Sequence, residues 1–230
     1  MKLLKWGSYF AVFISINAVA GVDKVYDPYV HQGEWEVETR AVHEFDDEDE
    51  HKIRLGAGYG INSFWFVEAY VIGEKESGED FDVADVEIES KFQLTEQGEY
   101  WLDAGLLVEL EKELGEGVWE FKAGPIFQKQ INKDWVITTN FLMEKKFGPD
   151  AEEREVELLG AAQLKYRYSP TLEPAIEYYA DEETHAVGPV LLGKTRWGGT
   201  PVKWEIGALA GLNEDTPDFT LRWLLEWEFY

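Results

Sequence analysis

From residue 34 to the end of the chain, apolar and polar residues alternate with a period of two. Successive side chains of an extended strand point to opposite faces, so this pattern requires strands with one apolar and one polar face. The segment 34–45 is the clearest. Trp35, Val37, Thr39, Ala41 and Phe45 fall on one side, and Glu34, Glu36, Glu38, Arg40 and Glu44 on the other.

The same grammar predicts about twelve strands, at 34–45, 52–61, 64–73, 84–94, 100–110, 118–129, 135–147, 155–168, 172–180, 186–196, 202–212 and 219–230. Pro125, Pro174 and Pro189 fall inside three of them and mark bulges or strand ends, because proline cannot donate to a ladder. Phe64 and Phe66 interrupt the polar face of the third strand. Two kinds of connection alternate. Long acidic ones lie at 46–51, 74–82, 112–117, 148–153, 181–185 and 213–218. Shorter ones made of turn formers lie at 62–63, 95–98, 130–134, 169–171 and 197–200.

A soluble sandwich or lipocalin-like barrel would also alternate, with its apolar face inward. Strand length and aromatic placement separate the two readings. Soluble strands average about 5–6 residues, whereas a tilted membrane-crossing strand needs about 9–11. Most segments here keep phase for at least that long. Trp35, Trp65, Trp119, Trp135, Trp204, Trp223 and Trp227 share the apolar face, many near strand ends, as an interfacial girdle requires. The expected fold is all-β, a transmembrane antiparallel up-and-down β-barrel. Barrels of this kind have short periplasmic turns and longer external loops. The acidic connections would then all lie outside.

The first residues fit an export leader. Lys2 and Lys5 precede an apolar stretch from Trp6 to Ile16, too short to span a bilayer as a helix, and Ala18-Val19-Ala20 supplies a cleavage site. The expected organisation is a cleaved leader at 1–20, a periplasmic lead-in at 21–32 and the barrel at 33–230. A short plug at the barrel mouth is the alternative for 21–32. There is no cysteine, which excludes disulfides and thiolate metal sites. With 46 acidic against 21 basic residues the net charge is −25, a balance that repels nucleic acid and attracts cations.

The last strand, Leu221-Arg222-Trp223-Leu224-Leu225-Glu226-Trp227-Glu228-Phe229-Tyr230, resembles the aromatic C-terminal signature of Gram-negative outer-membrane barrels. It departs from that signature in that Phe229, not Tyr230, is in phase with the apolar residues. The resemblance extends to the class of small transporter-like, porin-like barrels. It implies the cell outer membrane as location, and lipids, lipopolysaccharide and the barrel-assembly machinery as partners.

Chemistry is sparse. A serine nucleophile needs a base within hydrogen-bond reach. None of Ser63, Ser77, Ser90 and Ser169 is placed beside a histidine on one strand face, so a lipid-modifying barrel enzyme lacks its parts. No cofactor is expected. His51 with the acids of 46–50, and His185 with those of 181–183, are the only metal candidates. The polar strand faces are the remaining resource. Glu36, Glu38, Arg40, Arg54, Glu87, Glu89, Lys91, Glu155, Glu157, Arg167 and Glu177 are expected to line a lumen. Pairing across the connections would bring Glu44 near Lys52 or Arg54, and Arg167 near Glu173. Glu36, Glu38, Glu87 and Glu89 would line a narrow pathway for small cations, and a filled, structural barrel is the alternative.

Overall fold

The computed structural model describes residues 21–46, 49–75, 78, 80–151 and 155–230; the leader at 1–20 lies outside them. Twelve antiparallel strands close into a barrel in simple up-and-down order. They are β1 (Trp35–Phe45), β2 (Glu50–Gly60), β3 (Trp65–Lys75), β4 (Asp82–Gln93), β5 (Asp103–Glu113) and β6 (Trp119–Gln130). The second half comprises β7 (Trp135–Phe147), β8 (Glu157–Tyr166), β9 (Glu173–Ala180), β10 (His185–Trp197), β11 (Thr200–Gly211) and β12 (Phe219–Phe229). The seam joins β1 to β12 from Trp35 opposite Phe229 to Phe45 opposite Phe219, so no strand edge is left unpaired.

Strand bounds differ from the sequence pattern in a few places. β5 starts at Asp103 rather than at residue 100, so the β4–β5 connection is longer than expected and carries Tyr100 and Trp101. β8 runs only from Glu157 to Tyr166, which leaves Glu155 before it and Arg167 beyond it. Pro125 and Pro189 do lie within strands. Each follows a glycine, and opposite Gly124 and Gly188 the carbonyls of Phe141 and Ala208 sit where a Cβ would be. The Gly-Pro pairs therefore remove both the side chain and the N–H where a neighbouring strand presses close.

The exterior is an apolar band. Leu55, Ile88, Phe141, Leu158, Ile176 and Ile206 point outward and are each more than half exposed. Soluble monomers rarely expose contiguous apolar patches above a few hundred Å²; a lipid-facing wall does so by design. Aromatic pairs ring the rim that carries the short turns, with Trp35 on Tyr59, Trp65 on Phe92, Trp135 on Tyr166 and Trp197 near Trp227. The opposite rim carries the acidic loops.

The core is inside the barrel, and the chain's own N-terminal segment completes it. The expected periplasmic lead-in at 21–32 is replaced by a plug that runs through the lumen. Its residues Val22, Tyr26 and Val30 are buried. Val22 packs with Tyr179, Ala186 and Leu209 on one wall, and Tyr26 with Leu107 and Ile126 on the other. A Cβ on Gly105 would meet Pro28 of the plug at 2.9 Å, so that inward position is kept empty for it. The segment then turns at Gly33 (φ +79°), whose N–H donates to the Gly60 carbonyl, and enters β1.

Candidate functional site

The functional surface of a barrel with an apolar exterior is its inner wall, and strand register decides which inward side chains become neighbours. Around the wall, Glu228 lies opposite Glu36, Glu36 opposite Gly58, and Gly58 opposite Glu68. The row continues through Glu89, Glu109, Lys122, Glu144 and Glu157. Barrel strands are tilted and staggered, so a row taken along the hydrogen bonds climbs the wall as it goes round. Glu36 is the second residue of β1, at the turn rim, and Glu157 is the first of β8, at the loop rim. The glutamates thus form a staircase from one mouth to the other. A parallel row beside it runs through Glu226, Glu38, Gly56, Tyr70, Glu87, Glu111 and Glu120.

Basic groups answer only part of this charge. Lys122 is shared by Glu109, Glu120 and Glu144 at 3.4, 3.5 and 3.1 Å. Arg54 reaches Glu87 and Glu111 at 3.7 and 3.8 Å. Buried oxygens of Glu68, Glu87, Glu89 and Glu109 have no hydrogen-bond partner among the described residues. Like charges opposite one another across strands are destabilising, and a buried unsatisfied polar group costs about 1–3 kcal/mol. Stability alone does not explain Glu68, Glu89 and Glu109 in one row.

The plug crosses this wall and is held by dedicated contacts. Asn140 clamps the Tyr26 backbone from both sides. Its Oδ1 accepts from the Tyr26 N–H, and its Nδ2 donates to the Tyr26 carbonyl, each at 2.8 Å. The Tyr29 hydroxyl donates to Asp103 at 2.7 Å and accepts from Gln128 at 2.7 Å. The Val30 N–H donates to Gln93 at 2.8 Å. Lys24 pairs with Glu38 at 2.8 Å, and Asp23 with Arg40 at 3.2 Å. Burial works against a charge on Asp23, yet Arg40 and Arg54 outweigh it and hold its carboxyl well below the usual range. Burial also opposes the Asp27 charge, and Lys91, 3.9 Å away, with Lys203 and the Tyr29 N–H, still keeps its pKa at about 2.

Two cavities flank the plug. The larger, about 690 Å³, opens among the acidic loops with Gly21 to Lys24 and Tyr26 among its lining residues; Glu44, Glu74, Asp85, Glu111 and Glu144 surround it. The smaller, about 390 Å³, lies at the turn rim beside Tyr29, Trp101, Asp103, Gln128 and Arg167.

No protein-family model matches the chain, and no curated protein matches it. Solved structures do. An outer-membrane channel of the COG4313 group from Pseudomonas putida F1 superposes with a TM-score of 0.64 at 13% identity, over 91% of this chain and all of that one. The KdgM porin gives 0.56 at 13% identity, over 85% of this chain and 99% of that one. The NanC porin gives 0.54 at 10% identity, over 84% and 99%. The fold is that of a twelve-stranded outer-membrane barrel. With its lipid-facing exterior, that places the chain in the outer membrane.

Within this outer-membrane barrel the residues expected from the sequence to line the lumen divide into groups. Glu36, Glu38, Arg40, Arg54, Glu87, Glu89, Lys91, Glu157 and Glu177 are on inward faces of strands. Glu155 is not, because it is exposed in the connection before β8. Arg167 is beyond the end of β8, in the wall of the smaller cavity. Register refines one expected pair and corrects another. Glu44 faces Glu50 directly, and Lys52, diagonal to it and close enough to act on its charge, forms its ion pair with Glu74 at 2.6 Å. Lys165, not Arg167, meets Glu173, at 3.1 Å.

His51 points outward, and its Nδ1 lies 3.0 Å from that of His43 rather than among loop acids, two of which, Asp47 and Glu48, lie outside the described residues. His185 bonds the Tyr178 hydroxyl at 2.8 Å. No group of three metal-ligating side chains converges among the described residues.

The alternation pattern missed Glu68 and the plug. Phe66 is inward and buried over Gly58, so the β3 face that carries Glu68 and Tyr70 also carries apolar rings. The available signal was the run of glycines at 56, 58 and 60, which leaves wall volume for something else to fill.

Proposed function

We propose that this outer-membrane barrel is a narrow, cation-preferring channel for small polar solutes, closed in the observed conformation by its own N-terminal segment. The carboxylate staircase from Glu36 to Glu157 carries the reading, since it offers a row rich in carboxyl groups, broken only by Gly58 and Lys122, between the two mouths. A low-dielectric wall of one sign focuses field lines and concentrates counter-ions. The acidic loops supply the same sign at one entrance and, with the short turns periplasmic, would face the exterior. The superposed channel and porins share the twelve-stranded barrel fold, which supports a pore and leaves the solute to the side chains.

A second reading, a filled structural barrel, is favoured by one observation, the extent to which residues 21–34 occupy the lumen. Planar-bilayer recording across a potassium chloride gradient separates them. Cation-selective reversal potentials are expected. Anion preference would overturn the channel reading, and absence of conductance even after the plug is loosened would favour the filled barrel.

A further inference from the structure

Lys24 is the only lysine or arginine in the plug segment 21–34, and its place on the wall is specific. Its ammonium lies 2.8 Å from Glu38 Oε2 and 4.8 Å above the Tyr26 ring. Glu38 also accepts from the Tyr70 hydroxyl at 3.2 Å. The carboxylates of Glu68 and Glu89 are close enough to act on the Lys24 charge. Both are almost fully buried, and each keeps an oxygen without a hydrogen-bond partner. Lys24 and Arg40, the latter 3.4 Å from Glu38 Oε1, share Glu38, and the oxygens left without a partner belong to Glu68 and Glu89 beside them.

We infer that this position is a binding site for organic ammonium solutes, with linear aliphatic amines and polyamines as the class, and that Lys24 is its tethered occupant. The inference rests on the channel reading and names its solute. Three observations favour an amine over a metal ion. The cation already seated is an alkylammonium, and an aromatic face completes its surroundings; such faces attract ammonium groups through the ring quadrupole. No three ligating side chains converge for a metal among the described residues. The acids are also dispersed on neighbouring strands, Glu68 opposite Glu89 and Glu89 opposite Glu109. Strands are about 4.8 Å apart, a spacing that successive ammonium groups of a polyamine can follow and a compact ion cannot. A solute amine then competes with Lys24 for the same carboxylates, and its binding loosens the plug.

The test is spermidine titration of the full-length protein in detergent, followed by calorimetry. Lys24→Gln removes a competitor whose effective concentration is about millimolar, so spermidine should bind at least roughly tenfold more tightly than to the wild type. Adding Glu68→Gln and Glu89→Gln should abolish that gain. Equal affinity in wild type and Lys24→Gln would overturn the site. A gain as large for magnesium at matched ionic strength would overturn the amine class.

Should Lys24→Gln fail to give a heat-modifiable folded band, a Gly21→Cys protein with Lys24 intact provides the second readout. Spermidine should speed thiol labelling at position 21, and an unchanged rate would overturn the competition. Reversal potentials on the same preparation distinguish the failures. Cation preference without amine binding removes only this inference, whereas anion preference removes the channel reading beneath it.

Discussion

Two sectors of the inner wall handle buried carboxylates in opposite ways. On β9, β11 and β12, Arg222 is 2% exposed and donates to Glu177 at 2.5 and 2.9 Å and to Glu205 at 2.9 Å. Tyr179 and Gln163 donate to the same Glu177 at 2.8 and 2.7 Å. Every charge there is answered from within the wall. On β3, β4 and β5, Glu68, Glu89 and Glu109 face one another in register, with oxygens left over. The first sector holds the barrel together, and the second is shaped for something that is not part of the wall. The same residue type is thus neutralised within the wall in one sector, and in the other is left to the solute of the proposed channel.

The contrast breaks most readily at Arg222. Arg222→Met leaves Glu177 and Glu205 as buried charges without their partner and is expected to destabilise the barrel by about 3–5 kcal/mol. Urea titration in lipid vesicles, read by heat-modifiable migration, measures this, and a loss below about 1 kcal/mol would make the two sectors equivalent. Gly56→Ala comes next. A Cβ there would stand 2.3 Å from the Tyr70 ring, over the acidic sector, so about 1–3 kcal/mol of overpacking strain is expected in the same titration.

Asn140→Ala sharpens the comparison from the side of the plug. Losing both bonds to Tyr26 should cost about 1–3 kcal/mol, drawn from plug docking rather than from the barrel. Conductance should rise while the urea midpoint of the strands barely moves; a lowered midpoint with unchanged conductance would make the segment an ordinary part of the core. Glu89→Gln is expected to change barrel stability by less than about 1 kcal/mol, or to raise it, because it relieves repulsion in its row.

Acid has the smallest effect. The Asp27 carboxylate docks with full strength above its unfolded pKa near 3.8 and loses that contribution as pH falls through about 2. Burial opposes its charge, and Lys91, Lys203 and the Tyr29 N–H more than compensate. Asp23, held lower still, follows the same sign. Thiol labelling at position 21 of a Gly21→Cys protein, which reads docking alone, should therefore stay constant from pH 7 to about pH 4 and rise only below it. Opening between pH 7 and pH 5 would assign the docking to other groups.

Strand number, the closed order and the outward face were legible in the sequence because lipid and lumen impose a strict period of two on every strand. Register was not. A shift of two residues keeps each face intact, so periodicity gave Lys165 no advantage over Arg167 as the partner of Glu173. For the same reason Glu36, Glu38, Glu87 and Glu89 could be placed on the inward face, but their alignment into rows could not be read. The plug could be offered only as an alternative at the barrel mouth, for a different reason. Residues 21–34 make no ladder, and their order comes from isolated side chains such as Asn140, Gln93 and Asp103, each donated by a different strand. Only a closed barrel brings those three together.

The most direct measurement is the reversal potential of single channels in a potassium chloride gradient. It should be made on the wild type, on Asn140→Ala, and on a Glu68→Gln, Glu89→Gln, Glu109→Gln triple variant. A cation-selective potential in the first two, moved toward zero in the triple variant, is the expected result. An anion-selective potential, or one that the three substitutions leave unchanged, would contradict the carboxylate staircase as the pathway.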